Sequence, residues 1–465
     1  MIQVLSFLLP FRHYLLSSSR VRFCGSKVAS SHFSLASNQR RSYIHGKANM
    51  GSIEAPIKVL VIGGSYAGLS AALNLYDYCN GKEARARLHD PVGGSGIVIP
   101  VEIKIVDERD GYYHLIGSPL ALASTEYASK NWVRFADLPA LKAPGLSWTQ
   151  GSASRVDTEN KIATIVDTIS GKEYDESYDF LVIATGLRRQ WPAVPQSLTR
   201  KAYLAETAKH IEEVKAAKEG VVVIGGGAVG VEMAAEIKMV EPTQKVTLIH
   251  SRDKLLSSEP LPDDFKDRSA EVLQEGGVEL IVNERVTGNI EVESTDGSPR
   301  YRLTLSSGRQ IFAGKVIFAV SKSVPTTTFM PASTLDADGF VKIHNTMNIL
   351  TDSPSSRAHF AAGDIASWSG IKRCGAAMAM GHIAAANIHQ VIRQAGFGTE
   401  PTFVEFPEVP PMIAIAVGKK AVCYGPETGT TSGEEDLKRM FRDDLGWSIC
   451  WNYMQLGVEW TKTSA

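Results

Sequence analysis

The sequence predicts an α/β fold: two parallel-sheet domains followed by a small α+β segment. Two glycine-rich turns carry that prediction, Leu60-Val61-Ile62-Gly63-Gly64-Ser65-Tyr66-Ala67-Gly68 and Val222-Val223-Ile224-Gly225-Gly226-Gly227-Ala228-Val229-Gly230. Each is entered from a β-branched run and left by a helix-forming one. In such a turn the first glycine permits the bend, a small middle residue lets main-chain N–H groups reach a pyrophosphate, and the last lets helix and strand pack closely. The anion then rests at the positive end of the helix dipole. Two such turns in one chain mean two dinucleotides, and hence electron transfer between them.

A chain of 465 residues is too long for one core and long enough for two or three domains. Hydrophobic content of 44% and charge of 21% are those of an ordinary globular protein. The net charge of −1 hides an asymmetry: seven basic residues (Arg12, Arg20, Arg22, Lys27, Arg40, Arg41, Lys47) precede the first acid, Glu54, and without them the remainder stands at about −8. An acidic body argues against nucleic-acid binding. The acid-free, Ser- and Arg-rich start has the composition of a mitochondrial transit peptide over residues 1–43, with Arg40-Arg41-Ser42-Tyr43 resembling a matrix-processing site. The competing reading is a disordered basic tail. Five scattered cysteines, Cys24, Cys79, Cys374, Cys423 and Cys450, form no CxxC pair, which argues against a redox disulfide or a cysteine zinc site. Cys374 reads as a small buried hydrophobe.

From Ile57 the chain reads as strand (Val59 to Ile62), turn, and a helix through Leu69, Ala72, Leu73 and Leu75. A polar, glycine-rich stretch from Lys82 to Pro100 separates this unit from the strand Val101 to Val106. Asp107 follows, 44 positions after Gly63, where about 20 is usual for the acid that accepts ribose hydroxyls; the insertion accounts for the excess. Tyr178 to Ile183 is a buried-type strand closed by Ala184-Thr185-Gly186, and Trp191, Pro192 and Pro195 read as an exit linker. The second unit runs from Val221 through a helix, Val231 to Met239, to the strand Val246 to Ile249, which ends in His250-Ser251-Arg252 without an acid. His359 to Ala362 leads into Gly363-Asp364, and a small-residue helix from about Arg373 to Val391 is suited to lie close to something flat. Two β-branched stretches around Gly418 and an aromatic, cationic run from Leu437 to Tyr453 complete the chain. No apolar run has the length of a membrane span.

This constellation resembles the two-dinucleotide-binding flavoproteins of the pyridine nucleotide-disulfide reductase superfamily. Within it, the apoptosis-inducing-factor-like branch, with its ferroptosis-suppressor quinone reductases, is most similar. The likeness runs from Ile57 to Ile392 and is strongest over Gly225 to Lys238 and Val246 to Ser251. It implies two Rossmann-like dinucleotide-binding domains, an FAD domain (57–205 and 332–398) with an NAD(P)H domain inserted (206–331), and a C-terminal segment, 399–465. It assigns Gly63, Gly64 and Gly68 to the FAD pyrophosphate, with Ser65 replacing the family's middle glycine in that cofactor-binding loop as a small side chain that leaves the phosphate room to approach, Asp107 to the adenosine ribose, Gly363 and Asp364 to the ribityl or pyrophosphate region, and Ala184, Thr185 and Gly186 to the domain crossing. Gly225, Gly227 and Gly230 belong to the NAD(P)H loop. The cysteine pair of the disulfide-reducing members is missing, since the helix after the first loop carries Ala71, Ala72 and Asn74.

The resemblance also places Glu232, read as lying in the first turn of its helix, near the nicotinamide and flavin; the alternative is an acid stabilising a helix N-terminus. Lys372 matches a family lysine aimed at the flavin, against the alternative of a solvated lysine at a helix start. His382 reads as packed or exposed rather than as a proton donor. Without a strand-end acid to repel a 2′-phosphate, and with His250 and Arg252 nearby, NADPH is expected to be accepted along with NADH. The expected activity is hydride transfer from NAD(P)H to FAD and onward to a quinone-type acceptor. The competing activities are a redox signalling flavoprotein and a reductase of ferredoxin or an electron-transfer flavoprotein. The Leu437 to Tyr453 run reads either as peripheral membrane contact or as a dimerisation or lid segment.

Overall fold

A computed structural model describes residues 55–85, 96–294, 296–320, 322–351 and 355–461. The expected transit segment, 1–43, lies outside them, as does part of the polar insertion after Lys82. The first glycine turn follows Ile57–Ile62, whose apolar run is the pattern of a strand covered on both faces. That strand pairs in parallel with Val101–Asp107 on one side and Phe180–Ile183 on the other. The sheet has seven strands in the order His359–Ala361, Phe180–Ile183, Ile57–Ile62, Val101–Asp107, Leu146–Asp157, Ile162–Asp167, Glu173–Ser177. The last two join by antiparallel pairing. A strand from far along the chain, His359–Ala361, is therefore laid parallel against Phe180–Ile183.

The second lobe repeats the plan with four parallel strands in the order Glu279–Ile281, Val246–Ile249, Val221–Ile224, Lys315–Phe318. A three-stranded antiparallel meander, Val286–Glu291, Tyr301–Leu305 and Gln310–Ala313, lies beside it. The two strands that cross between lobes run side by side: Leu187–Arg188 pairs antiparallel with Val324–Pro325, and Thr185 donates its hydroxyl to the Thr326 carbonyl at 2.9 Å.

Two helices cover the first lobe. Tyr66–Cys79 is buried along its whole length, and the small-residue helix extends over Cys374–Phe397, beyond the expected Val391. Its small face meets the Tyr66–Cys79 helix itself: a Cβ added to Gly381 would sit 2.2 Å from the Ala67 carbonyl oxygen. The close approach places Gly363 against Ala67 and Ala377.

The C-terminal segment is an antiparallel sheet, Ile413–Val417, Lys420–Gly425 and Gly429–Gly433, followed by the short helices Glu434–Met440 and Trp447–Tyr453. It packs on both lobes. Ile415, Val417 and Val422 enter the core of the second lobe, while Cys450, Tyr453, Met454 and Leu456 enter that of the first. Trp447 and Trp451, the aromatic pair of the cationic run, stack on one another at 4.7 Å. Among the described residues, no helix is long and apolar enough to cross a membrane.

Replacing Gly381 by Ala forces the two helices of the first lobe apart. We expect a loss of about 1–3 kcal/mol, the usual cost of overpacking. Thermal unfolding followed by circular dichroism and flavin release will show it as a Tm lowered by several degrees.

Candidate active site at the seam of two nucleotide lobes

The first loop is built by three main-chain contacts. Gly63 donates its N–H to the Val106 carbonyl at 2.8 Å, and its φ of +107° is one that a side chain would strain. Gly64 donates to Asp107 Oδ2 at 2.6 Å, while Arg109 donates to Oδ1 at 2.8 Å. Asp107 thus orients the turn and keeps lone pairs on both oxygens for further donors. Loss of water raises its carboxyl from the usual range, with Arg109 and the two N–H groups acting in the opposite direction. Gly68 touches the turn so closely that a Cβ there would lie 1.7 Å from the Gly63 carbonyl oxygen. Ser65 takes the N-cap position without using its side chain as a cap. These residues fit a dinucleotide pyrophosphate: a turn of main-chain donors feeds the start of a 14-residue helix, which lends its positive end.

The second loop reproduces the first, with a histidine in the aspartate's place. Gly225 donates to Ile249 O at 2.9 Å, and Gly226 donates to His250 Nδ1 at 3.1 Å. Accepting at Nδ1 leaves the proton on Nε2, which lies 3.1 Å from Ser257 Oγ. Loss of water lowers the His250 pKa, consistent with that neutral form. Gly227, the N-cap residue, has open space where a Cβ would stand. Arg252 is exposed and donates to the Ser257 carbonyl at 3.3 Å, beside the tip of the strand.

The remaining expected residues gather around the first loop and the crossing strands. Ala184 lies against Gly63, since a Cβ there would meet the Ala184 carbonyl oxygen at 2.3 Å. Gly186 accepts from the Thr326 N–H at 3.2 Å. Asp364 is half-buried; loss of water raises its carboxyl, opposed by the cations Arg189 and Lys372. Lys372 precedes the N-cap residue Arg373 and is half-buried. Its Nζ donates to the Ala366 carbonyl at 2.7 Å and lies 4.6 Å from the Phe340 ring centroid. Loss of water lowers its pKa, with Asp364 and Asp336 opposing. The solvated helix-start lysine is thereby set aside.

Glu232 differs from its sequence reading in place. The helix begins at Ala228, so Glu232 is its fifth residue, beyond the first turn, and an N-terminal dipole role is removed. Its Oε1 accepts the Ala416 N–H at 3.1 Å, which ties the NAD(P)H lobe to the C-terminal sheet. Loss of water pushes this carboxyl up to about 8. One turn on, the fully buried Glu236 is likewise pushed up to about 8, by burial and by Glu232. His382 is packed, with Nε2 2.8 Å from the Tyr78 hydroxyl.

Sequence reading missed three groups. Glu236 could have been found from its spacing four residues after Glu232. Arg189, whose charge acts on Asp364, stands three residues past Gly186, just after the strand Leu187–Arg188. The third is His114, whose Nδ1 lies 3.1 Å from the Tyr66 hydroxyl and 3.2 Å from that of Tyr112. Its Nε2 donates to the Leu445 carbonyl at 3.0 Å, and burial lowers its pKa to about 4. No local signal marks His114, because its partners come from separate segments.

Comparison with known proteins agrees with this geometry. The profile of the family described as pyridine nucleotide-disulphide oxidoreductase matches residues 57–381. The chain is 52% identical over 418 residues to "Oxidoreductase OXR1" of Ajellomyces capsulatus, covering 89% of this chain and 90% of that protein. It is 24% identical over 340 residues to "Ferroptosis suppressor protein 1" of Homo sapiens, covering 73% of this chain and 82% of that protein. The solved sulfide:quinone oxidoreductase of Aquifex aeolicus shares the fold, with a TM-score of 0.58 at 19% identity, over 85% of this chain and 92% of that one. With two nucleotide loops of one design and a family profile that matches residues 57–381, this chain belongs to the pyridine nucleotide-disulphide oxidoreductase family, as an FAD-dependent oxidoreductase that uses NAD(P)H.

Proposed function

We propose that the protein passes electrons from NAD(P)H through FAD to a quinone-type small acceptor. The observation that carries this reading is the helix after the first loop. Ala71, Ala72 and Asn74 are buried there, where the disulfide-reducing members of the family carry their cysteine pair, so disulfide reduction by the family mechanism is disfavoured and a different acceptor is called for. The likeness to the ferroptosis-suppressor proteins and the fold shared with a sulfide:quinone oxidoreductase support a quinone.

FAD supplies a centre that takes up a hydride and returns electrons to the second substrate. In this reading Gly63, Gly64, Ser65 and Gly68 hold its pyrophosphate by main-chain N–H groups, and Asp107 accepts ribose hydroxyls. Gly363 and Asp364 meet the ribityl or pyrophosphate stretch, and Ala184, Thr185 and Gly186 form the wall next to the crossing. Gly225, Gly227 and Gly230 cradle NAD(P)H, with His250 and Arg252 at the adenosine end. Lys372 brings positive charge to the flavin side, favouring the electron-rich state. Quinone reduction consumes protons, and Glu232 holds one at neutral pH because its carboxyl ionises only near pH 8. The carboxyl stays protonated below that point and is lost as a donor above it. The acid-free N-terminal composition further supports a mitochondrial location.

Three outcomes are expected. Glu232→Gln lowers quinone reduction by roughly 10²-fold, the low end for a general acid, and removes a decline that the parent protein shows above about pH 8. Turnover measured across pH with a soluble quinone checks both; an unchanged profile rejects the assignment. Arg252→Ala raises KM for NADPH about tenfold, equal to about 1.4 kcal/mol, and leaves KM for NADH unaltered in steady-state assays. Residues 1–43 fused to a fluorescent protein direct it to mitochondria on imaging, and a diffuse signal counts against the transit reading.

A further inference from the structure

The two lobes superpose strand for strand. In the first, the entering strand Ile57–Ile62 has Val101–Asp107 on one side and Phe180–Ile183 on the other; in the second, Val221–Ile224 has Val246–Ile249 and Lys315–Phe318. Ile62 pairs with Ile183 and Ile224 with Phe318, so Ala319 corresponds to Ala184 and Val320 to Thr185. The main chain repeats as well: Ala184 donates to the Ile62 carbonyl at 2.7 Å, and Ala319 to the Ile224 carbonyl at 2.8 Å. The side chains differ. Thr185 donates its hydroxyl to the Thr326 carbonyl, whereas Val320 has no polar atom to use in that way and is 56% exposed. A single apolar side chain at a surface ordinarily signifies nothing. Val320, however, stands on the phosphate turn itself: a Cβ on Gly225 would lie 2.7 Å from its Cγ1, and one on Gly230 would lie 3.1 Å from the Ala319 Cβ.

The order of the strands says which half of a dinucleotide passes over this residue. The pyrophosphate belongs to the turn after Val221–Ile224, and the adenosine to the tip of the neighbouring strand, at His250 and Arg252. The opposite neighbour in the sheet is Lys315–Phe318. A dinucleotide bound across the ends of parallel strands reaches from one neighbour to the other, so its nicotinamide half runs over Ala319 and Val320.

We propose that Val320 is a binding residue for the nicotinamide half of NAD(P)H, an apolar wall that the bound dinucleotide covers. The inference rests on the reading of His250 and Arg252 as the adenosine end. Covering the valine methyl groups with the flat nicotinamide half removes apolar surface from water on both partners. The contact involves no charge and no hydrogen-bond donor. It therefore acts alike on NADH and NADPH, which differ only by the 2′-phosphate at the far end. Val320 sets the affinity for both, while Arg252 separates one from the other.

The test uses the full-length, FAD-loaded protein and the variants Val320→Ala and Val320→Thr. More than half of the side chain faces solvent, so neither change empties a core, and the shape-conserving Val320→Thr serves if Val320→Ala is unstable. Kd for NADH and for NADPH is taken from the concentration dependence of flavin bleaching in anaerobic stopped flow. The competitor 2′,5′-ADP, which carries the adenosine half alone, is titrated in parallel. We expect Val320→Ala to raise both dinucleotide Kd values about fivefold, the effect of losing two partly covered methyl groups. Val320→Thr raises both in the same sense, and 2′,5′-ADP inhibits the parent and the variants alike. Unchanged dinucleotide Kd values in the folded variants overturn the proposal, as does an equal weakening of 2′,5′-ADP. Failure of the underlying reading looks different: Arg252→Ala then leaves inhibition by 2′,5′-ADP unaltered, and the proposal falls with that reading.

Discussion

Both lobes depend on one interaction, a main-chain N–H of the phosphate turn held by the residue at the tip of the neighbouring strand. Gly64 is held by Asp107 and Gly226 by His250. The bond fixes the turn so that its other N–H groups and the helix start face outward as anion donors. It also ties the turn to strand register, because Asp107 and His250 reach the loop only if their strands pair in parallel beside the entering strand. Changing the holding group from carboxylate to neutral imidazole removes a negative charge from the edge of the second site while leaving its architecture alone. A 2′-phosphate is therefore repelled less there than in a site with an acid at the same place.

The second organising feature is the removal of water from ionisable groups around the two lobes. Glu232 and Glu236 rise together, Lys372 falls, and Asp364 rises in spite of Arg189 and Lys372. Desolvation is the first cause in each case, so these shifts belong to the assembled protein rather than to any local motif. Perturbed ionisable groups of this kind are of the type that proton chemistry at neutral pH requires.

The C-terminal segment links these features. Its strand Ile413–Val417 reaches Glu232, its later residues fill the core of the first lobe, and Leu445 accepts the hydrogen bond of His114. The aromatic side chains that read as a membrane or dimer surface are in part spent inside the chain: Tyr453 and Phe441 are buried, and Trp447 stacks on Trp451. An amphipathic composition marks a need for apolar cover, and here the two lobes meet much of it.

The sequence by itself determined the parallel-strand units, the two glycine turns and the residues at their strand tips. These are local: a φ of +107° at Gly63 and the close approach at Gly68 are demands on single residue types, visible in any chain that carries them. It also supplied the identity of Glu232 and Lys372, through resemblance, but not their state, and it placed Glu232 one turn too early. Only the tertiary structure decided that Glu232 meets Ala416, that the small-residue helix lies on the first helix at Gly381, and that His114 joins Tyr66 to Leu445. Such pairings depend on which distant segments share a low-dielectric interior. Contact and desolvation are properties of the packed chain, and neither periodicity nor spacing along the sequence encodes them.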